Sequence, residues 1–156
     1  GQIAVTFPAS GTGGGGGTPG CVSVDAWVIK RGPFGVRCRI RAGRVKVGDL
    51  LWLVGGRWGR VTFSETVQQP CRRIETVRGT LSCSASAPLR LMDGSVKDAI
   101  NIEPGDWLQV HDGQARVDGN RFLDIGPVQR LTVENAFFWC RGSGSAWFAH
   151  HNMKPP

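Results

Sequence analysis

The chain has 156 residues, a hydrophobic fraction of 40% and a net charge of +7 at pH 7. A chain of this size buries about 68–70% of its unfolded surface, so one domain with one core is expected. No apolar run approaches the ~20 residues of a membrane helix, and the opening "GQIAVTFPAS" lacks the charged start and long apolar stretch of a secretory signal. The chain begins without Met, as a fragment or processed product would. The positive charge permits an acidic partner without naming one.

In chain order, "QIAVTFP" reads as a short strand that ends an upstream segment (residues 1–9). The run "SGTGGGGGTPG" at 10–20 reads as a tether, because Gly-rich chain has too little apolar surface to order itself. The domain proper is expected at 21–152, followed by a short tail at 153–156. From Cys21 onward the pattern has period two: Val22, Val24, Ala26 and Val28 alternate with Ser23 and Asp25. In the same way Val36, Cys38 and Ile40 alternate with Arg37, Arg39 and Arg41, which predicts one buried and one solvated face. Further strands are predicted at "LLWLV", "RVTFSE", "RIETV", "TLSCSA", "DWLQVH", "RFLDI", "VQRLTVE", "AFFWC" and "AWFAH". Turn residues punctuate them at "GGRWG", "QQP", "MDG", "EPGD", "VDGN" and "GSGS". No segment carries a long 3.6-residue period; "VKDAINI" reads as a helical turn at most. The prediction is an all-β fold, a sandwich or a barrel. One internal echo, "VGDLLWLV" against "PGDWLQV", suggests two related β lobes.

The five cysteines form no C-x-x-C pair, so neither a zinc ribbon nor a cysteine-ligated cluster is indicated. No cofactor or metal is expected. Four of the five read as buried free thiols. The fifth, Cys21, follows Gly20 at the end of the tether. A thiolate is the strongest side-chain nucleophile near neutral pH, and Cys21 could take the upstream acyl group from its own nitrogen onto its sulfur. At the other end lies "HHN". The side-chain amide of Asn152 can attack its own carbonyl carbon, forming a succinimide and breaking the Asn152–Met153 bond. His151 can protonate the departing amine, with His150 in reserve. Taken singly, Cys21 reads as a buried thiol and Asn152 as a polar chain end; together they bracket the whole β region.

With "GGGGGTPGCVSVDAWV", "VKVGDLLWL", "VTFSE", "CSASAPLRLMDG", "LTVENAFFWCRG" and "HHNMK", the chain resembles a Hint domain, the fold of inteins and hedgehog autoprocessing domains. Within that group it is most similar to the Hint-type domains of tailed-phage tail proteins. The resemblance runs over about residues 11–154. It implies a pseudo-twofold β horseshoe that brings both junctions together. It also implies roles: Cys21 as N-terminal nucleophile, Ser84 as a local hydrogen-bonding group, His151 as acid and Asn152 as C-terminal nucleophile.

Several positions depart from an active intein. Its central Thr-x-x-His supplies the proton for the departing amide nitrogen at the first junction; Ser84 and Ala87 stand in those places here. Such acid–base help is typically worth ~100- to 10,000-fold, roughly 3–5 kcal/mol of barrier. The tail-protein subgroup is similar here, with Ser-Ala-Pro. His111, in the turn "VHDG", does not offer itself as a substitute. Arg130 stands where an aspartate is usual, and Ala136 and Phe137 where a histidine is common. Met153 has no nucleophile, so splicing is not expected and only cleavage at Gly20–Cys21 or Asn152–Met153 remains.

The implied function is cis-acting, single-turnover cleavage by a domain of a phage tail protein, made in the host cytoplasm and carried in the virion. The alternative is a catalytically degenerate Hint fold serving as a structural or interaction module of the tail tip. The expected partners are the upstream part of its own polypeptide and other tail or baseplate subunits. Nucleic-acid contact through six tryptophans and seven phenylalanines is disfavoured, because their alternation within strands reads as core packing.

Overall fold

The computed structural model describes residues 20–151. The expected first strand, the tether up to residue 19, Asn152 and the tail at 153–156 lie outside the described residues. Among the described residues thirteen strands follow one another: β1 (Val22–Ser23), β2 (Trp27–Arg31), β3 (Arg37–Arg41), β4 (Leu50–Trp52), β5 (Trp58–Thr76), β6 (Gly79–Ser84) and β7 (Pro88–Arg90). Then come β8 (Val96–Asp98), β9 (Trp107–Val110), β10 (Gly113–Val133), β11 (Phe138–Arg141), β12 (Ser143–Gly144) and β13 (Phe148–His150). Among the described residues the only helical pieces are 3-10 turns, at Pro33–Gly35, Ala42–Arg44 and Ala99–Asn101. The segment "VKDAINI" thus divides into β8 and a 3-10 turn.

Two strands are far longer than the sequence pattern suggests. β5 has 19 residues and β10 has 21, and they run antiparallel to each other over most of that length. The expected breaks at "QQP" and "VDGN" are absorbed inside them. Irregularities fall between Val117 and Gly119 and between Phe122 and Ile125, the latter beside the Pro70–Ile125 pair. A bulge tolerates a residue that cannot donate to the ladder, so proline need not end the strand. β1 pairs with β6 on one side and β10 on the other, and β5 joins β6 to β10. Four strands therefore close a small ring around the start of the domain.

The sequence echo is a repeated structural unit. The Gly48 N–H donates to the Val61 carbonyl and the Val61 N–H to the Asp49 carbonyl, each at 2.8 Å; Gly105, Val117 and Asp106 repeat both bonds at 2.8 Å. Both glycines take φ of +96°, a left-handed conformation in which a side chain would be strained. An Asp49 carboxylate oxygen accepts the Lys46 N–H at 2.9 Å, and Asp106 accepts the Glu103 N–H at 2.9 Å. Each aspartate also meets a lysine, Lys30 at 3.2 Å and Lys97 at 3.0 Å. Leu51 and Leu108, two residues beyond these aspartates, are both buried.

The core is mainly aliphatic, with Phe138 and Phe148 as its largest fully buried side chains. Two expectations need correcting. Trp139 is the only buried tryptophan among the six, all of which are described, and Trp107 is exposed. β3 does not bury Val36 and Cys38 either; both are exposed. The reason is topological: β3 pairs only with β2, outside the main strand path. Its arginines lie over aromatic rings, Arg41 at 3.7 Å and Arg39 at 5.0 Å from the Trp27 ring centre, and Arg37 at 5.0 Å from that of Trp52. These are cation–π contacts that cover half-buried rings. Cys38 is accordingly the exposed thiol, while Cys71, Cys83 and Cys140 are buried as expected.

Candidate active site

The junction at Gly20–Cys21 is held from both sides. The Cys21 N–H donates to Ser84 Oγ at 2.9 Å, and the Ser84 N–H donates to the Cys21 carbonyl at 2.8 Å. Ser84 ends β6 and is 1% exposed, so this is a buried, fixed contact. Its hydroxyl also lies 3.4 Å from Ser86 Oγ. Gly20 packs directly on the next turn. A Cβ there would lie 2.6 Å from Ala87 Cα and 2.8 Å from the Ser86 carbonyl oxygen, and closer still to Pro88 Cδ. Backbone atoms cannot yield at such distances, so glycine alone fits.

The far end of the described chain meets the same turn. The His151 N–H donates to the Pro88 carbonyl at 3.1 Å, and His150 is paired with Leu89. Gly20 and His151 therefore both rest on the segment from Ser86 to Leu89. This brings together Cys21, Ser84 and His151 of the predicted site; Asn152 falls outside the described residues. His151 is buried, with its ring centre 5.1 Å from that of Phe137 in a T-shaped contact. Burial lowers its pKa, opposed by the Asn135 carbonyl.

The thiol of Cys21 is fully buried and packs with Cys71, Val128 and Val67. Burial pushes its pKa up to about 12; the Arg130 charge works against that rise and Cys71 adds to it. At pH 7 such a group is overwhelmingly the neutral thiol. Arg130 thus has a physical effect at the position where the resemblance leads one to expect an aspartate. Ala87 is fully buried and offers no proton.

His150 is the residue sequence reasoning placed least well, as a reserve for Asn152. It is 0% exposed, its ring centre is 5.4 Å from that of Phe138, and neither ring nitrogen has a hydrogen-bond partner of good geometry. Burial lowers its pKa to about 3; the His151 charge adds to this, while the Cys21 carbonyl beside the ring opposes it. The signal was present in "FAHH": Phe148 and His150 share a strand face, which turns the first histidine inward. His111 sits in a turn, 3.7 Å from the Asp112 carboxylate, as read from the sequence. Among the described residues no group of three or more His, Cys, Asp or Glu side chains could hold a metal ion, and no helix is long and apolar enough to cross a membrane.

No protein-family model matches the chain, and no curated protein is similar to it in sequence at a significant level. Solved structures do match. The VidaL intein (selenomethionine variant) has a TM-score of 0.73 at 11% identity, over 89% of this chain and 100% of that one. The gp41-1 intein has 0.71 at 18% identity, over 86% and 100%. The bacterial intein-like domain from Clostridium thermocellum has 0.71 at 13%, over 87% and 100%. At such identities the likeness is one of architecture: the chain has the intein-like Hint fold.

Proposed function

We propose that this chain is a Hint-type autoprocessing domain of a phage tail protein, which cleaves its own backbone once, in cis, at Gly20–Cys21. The observation that carries this reading is the clamp on that bond. Its nitrogen is hydrogen-bonded to Ser84 Oγ, and its glycine is pressed onto Ala87. In the step, Cys21 Sγ attacks the Gly20 carbonyl carbon, an S–C bond forms and the C–N bond breaks. The thiol proton ends on the freed Cys21 amine. An added thiol then attacks the thioester and releases residues 1–20. In the same reading His151 is the acid for Asn152, whose cyclisation would release residues 153–156. Splicing is not part of the proposal, since Met153 cannot accept an acyl group. The phage-tail setting, the virion location and the tail or baseplate partners rest on the sequence resemblance alone.

A second reading, a silent Hint fold used as a structural module of the tail tip, is favoured by the buried, protonated thiol and by Ala87. Intact mass of the purified 156-residue chain over days, with and without added thiol, separates the two. Thiol-dependent loss of residues 1–20 that is abolished by Cys21→Ala supports cleavage at the first junction. Loss of residues 153–156 assigns activity to Asn152. An unchanged mass in a folded chain overturns the cleavage reading and leaves the structural one.

A further inference from the structure

The half-buried arginines Arg72, Arg78, Arg90, Arg130 and Arg141 each meet a side-chain amide, a carboxylate or an aromatic ring. Arg73 on β5 is the exception. It too is half-buried, its Nε is buried with no hydrogen-bond partner, and among the described residues no carboxylate or ring meets its guanidinium. A guanidinium is always charged and carries only donors, and burying a donor without an acceptor costs stability. Arg73 stands opposite Ser82 of β6 in the strand register and borders a cavity of about 220 Å³. Arg41, Ser23, Asp25, Thr80 and Ser143 line the same cavity. Arg41 is fixed there: its guanidinium carbon lies 3.7 Å from the Trp27 ring centre, and one of its N–H groups donates to the Asp25 carbonyl at 2.6 Å. The hydroxyls have protons to spare. Thr80 and Ser143 share a hydrogen bond at 2.7 Å, which uses the proton of only one of them. Ser23 Oγ accepts the Asp25 N–H at 3.2 Å, which leaves its own proton over. The opposing charge is Asp25, an exposed residue, so two positive groups face one negative.

We infer that this cavity is a binding site for an oxyanion, the carboxylate or phosphate group of a small molecule, with Arg73 and Arg41 as its charge partners. An ionised carboxylate or phosphate offers only acceptors to a wall made mainly of donors. A guanidinium meets either group through two parallel N–H···O bonds, and the stacked Arg41 presents its remaining donors with little freedom left to lose. Hydroxyls beside the two guanidiniums complete the set, since each can turn its proton toward the anion. None of these residues takes part in the cleavage step, so the site stands whether or not the chain cuts itself.

The test is a titration of the folded 156-residue chain with inorganic phosphate and, separately, with acetate, at constant ionic strength balanced by chloride. Backbone amide NMR shifts are read at Ser23, Ser82, Gly142 and Ser143, which all line the cavity. Saturable shifts are expected there at concentrations where chloride alone leaves them unmoved. The anion bound more tightly names the class, phosphate for a phosphate ester and acetate for a carboxylate. Arg73→Gln should weaken that binding about tenfold or more, because it removes the charge and the paired donors. Where that variant does not fold, Arg73→Lys takes its place; it keeps the charge without the paired donors and should still weaken binding several-fold. Asp25→Asn should tighten binding about two- to fivefold by removing the opposing charge. Arg116→Gln, an exposed charge outside the cavity, should change it by less than about twofold. Shifts no larger than those of chloride with both anions overturn the inference. So does a folded Arg73 variant that binds within about twofold of the parent, or an Asp25→Asn variant that binds no more tightly.

Discussion

The two halves of the molecule use one turn twice. In the first half the Ala26 N–H donates to the Ser23 carbonyl at 3.0 Å, and in the second the Ala87 N–H donates to the Ser84 carbonyl at 3.0 Å. Ala26 and Ala87 then accept from Ala42 and Ala99, at 2.7 and 2.8 Å. Val24 donates to Pro127 on β10, and Ala85 donates to Pro70 on β5. The difference lies in the serine hydroxyl. Ser23 Oγ accepts the Asp25 N–H at 3.2 Å, within its own turn, whereas Ser84 Oγ accepts the N–H of Cys21 from the chain junction. Ala87 is thus the counterpart of a residue with a packing role, and the turn is sound without a histidine there. Framework and chemistry are separable in this fold: the repeated parts hold it together, and the exceptions to the repeat mark the junction.

The largest departure from symmetry is the buried His150, and acid should break the comparison there first. Its folded pKa of about 3 lies below the ordinary 6.5. The unfolded chain therefore binds this proton more readily between those values. The contribution to stability is present above pH 6.5 and is lost as pH falls toward 3, by on the order of 4 kcal/mol. Urea unfolding midpoints across that range should fall more steeply for the parent than for His150→Phe; parallel curves would contradict the assignment. The next effect tests the symmetry itself. Leu51→Ala and Leu108→Ala should each cost about 3 kcal/mol, and agree within about 1 kcal/mol, because each removes a buried leucine from the same place in the repeat. A wide gap in denaturant-derived stabilities would mean the halves are not equivalent. The smallest effect sharpens the serine difference. Ser84→Ala should cost about 1–2 kcal/mol by leaving the buried Cys21 N–H without its acceptor. Ser23→Ala, at a less buried turn, should cost under about 0.5 kcal/mol by the same measurement.

Much of this was legible before any coordinates. The alternation after Cys21 and the Gly-Asp echo locate the fold and its repeat, because each is a local pattern with a local cause; Cys21 and His151 meet at one turn, while Asn152 lies outside the described residues. What was not legible depends on neighbours distant in sequence. "QQP" reads as a break, yet Pro70 sits inside β5 because β10 bulges opposite it. "VRCRIR" reads as half-buried, yet β3 pairs with β2 alone and only Ile40 packs on the core. The tryptophans read as core, yet Trp27 and Trp52 lie under arginines of that same hanging strand. His150 ends β13 and turns against Phe138, while His151 lies just beyond the strand against Phe137, and the sequence does not show which ring goes where.

The four-stranded ring of β1, β6, β10 and β5 bears on what a cut would do. Severing the backbone before Cys21 frees an amine but does not free the segment that bears it, since β1 stays laced along both edges. After the proposed cut, the newborn terminus would remain beside the sulfur holding its former neighbour. Religation would then be one short step away, and the break would become permanent only when an outside nucleophile carried the acyl fragment off.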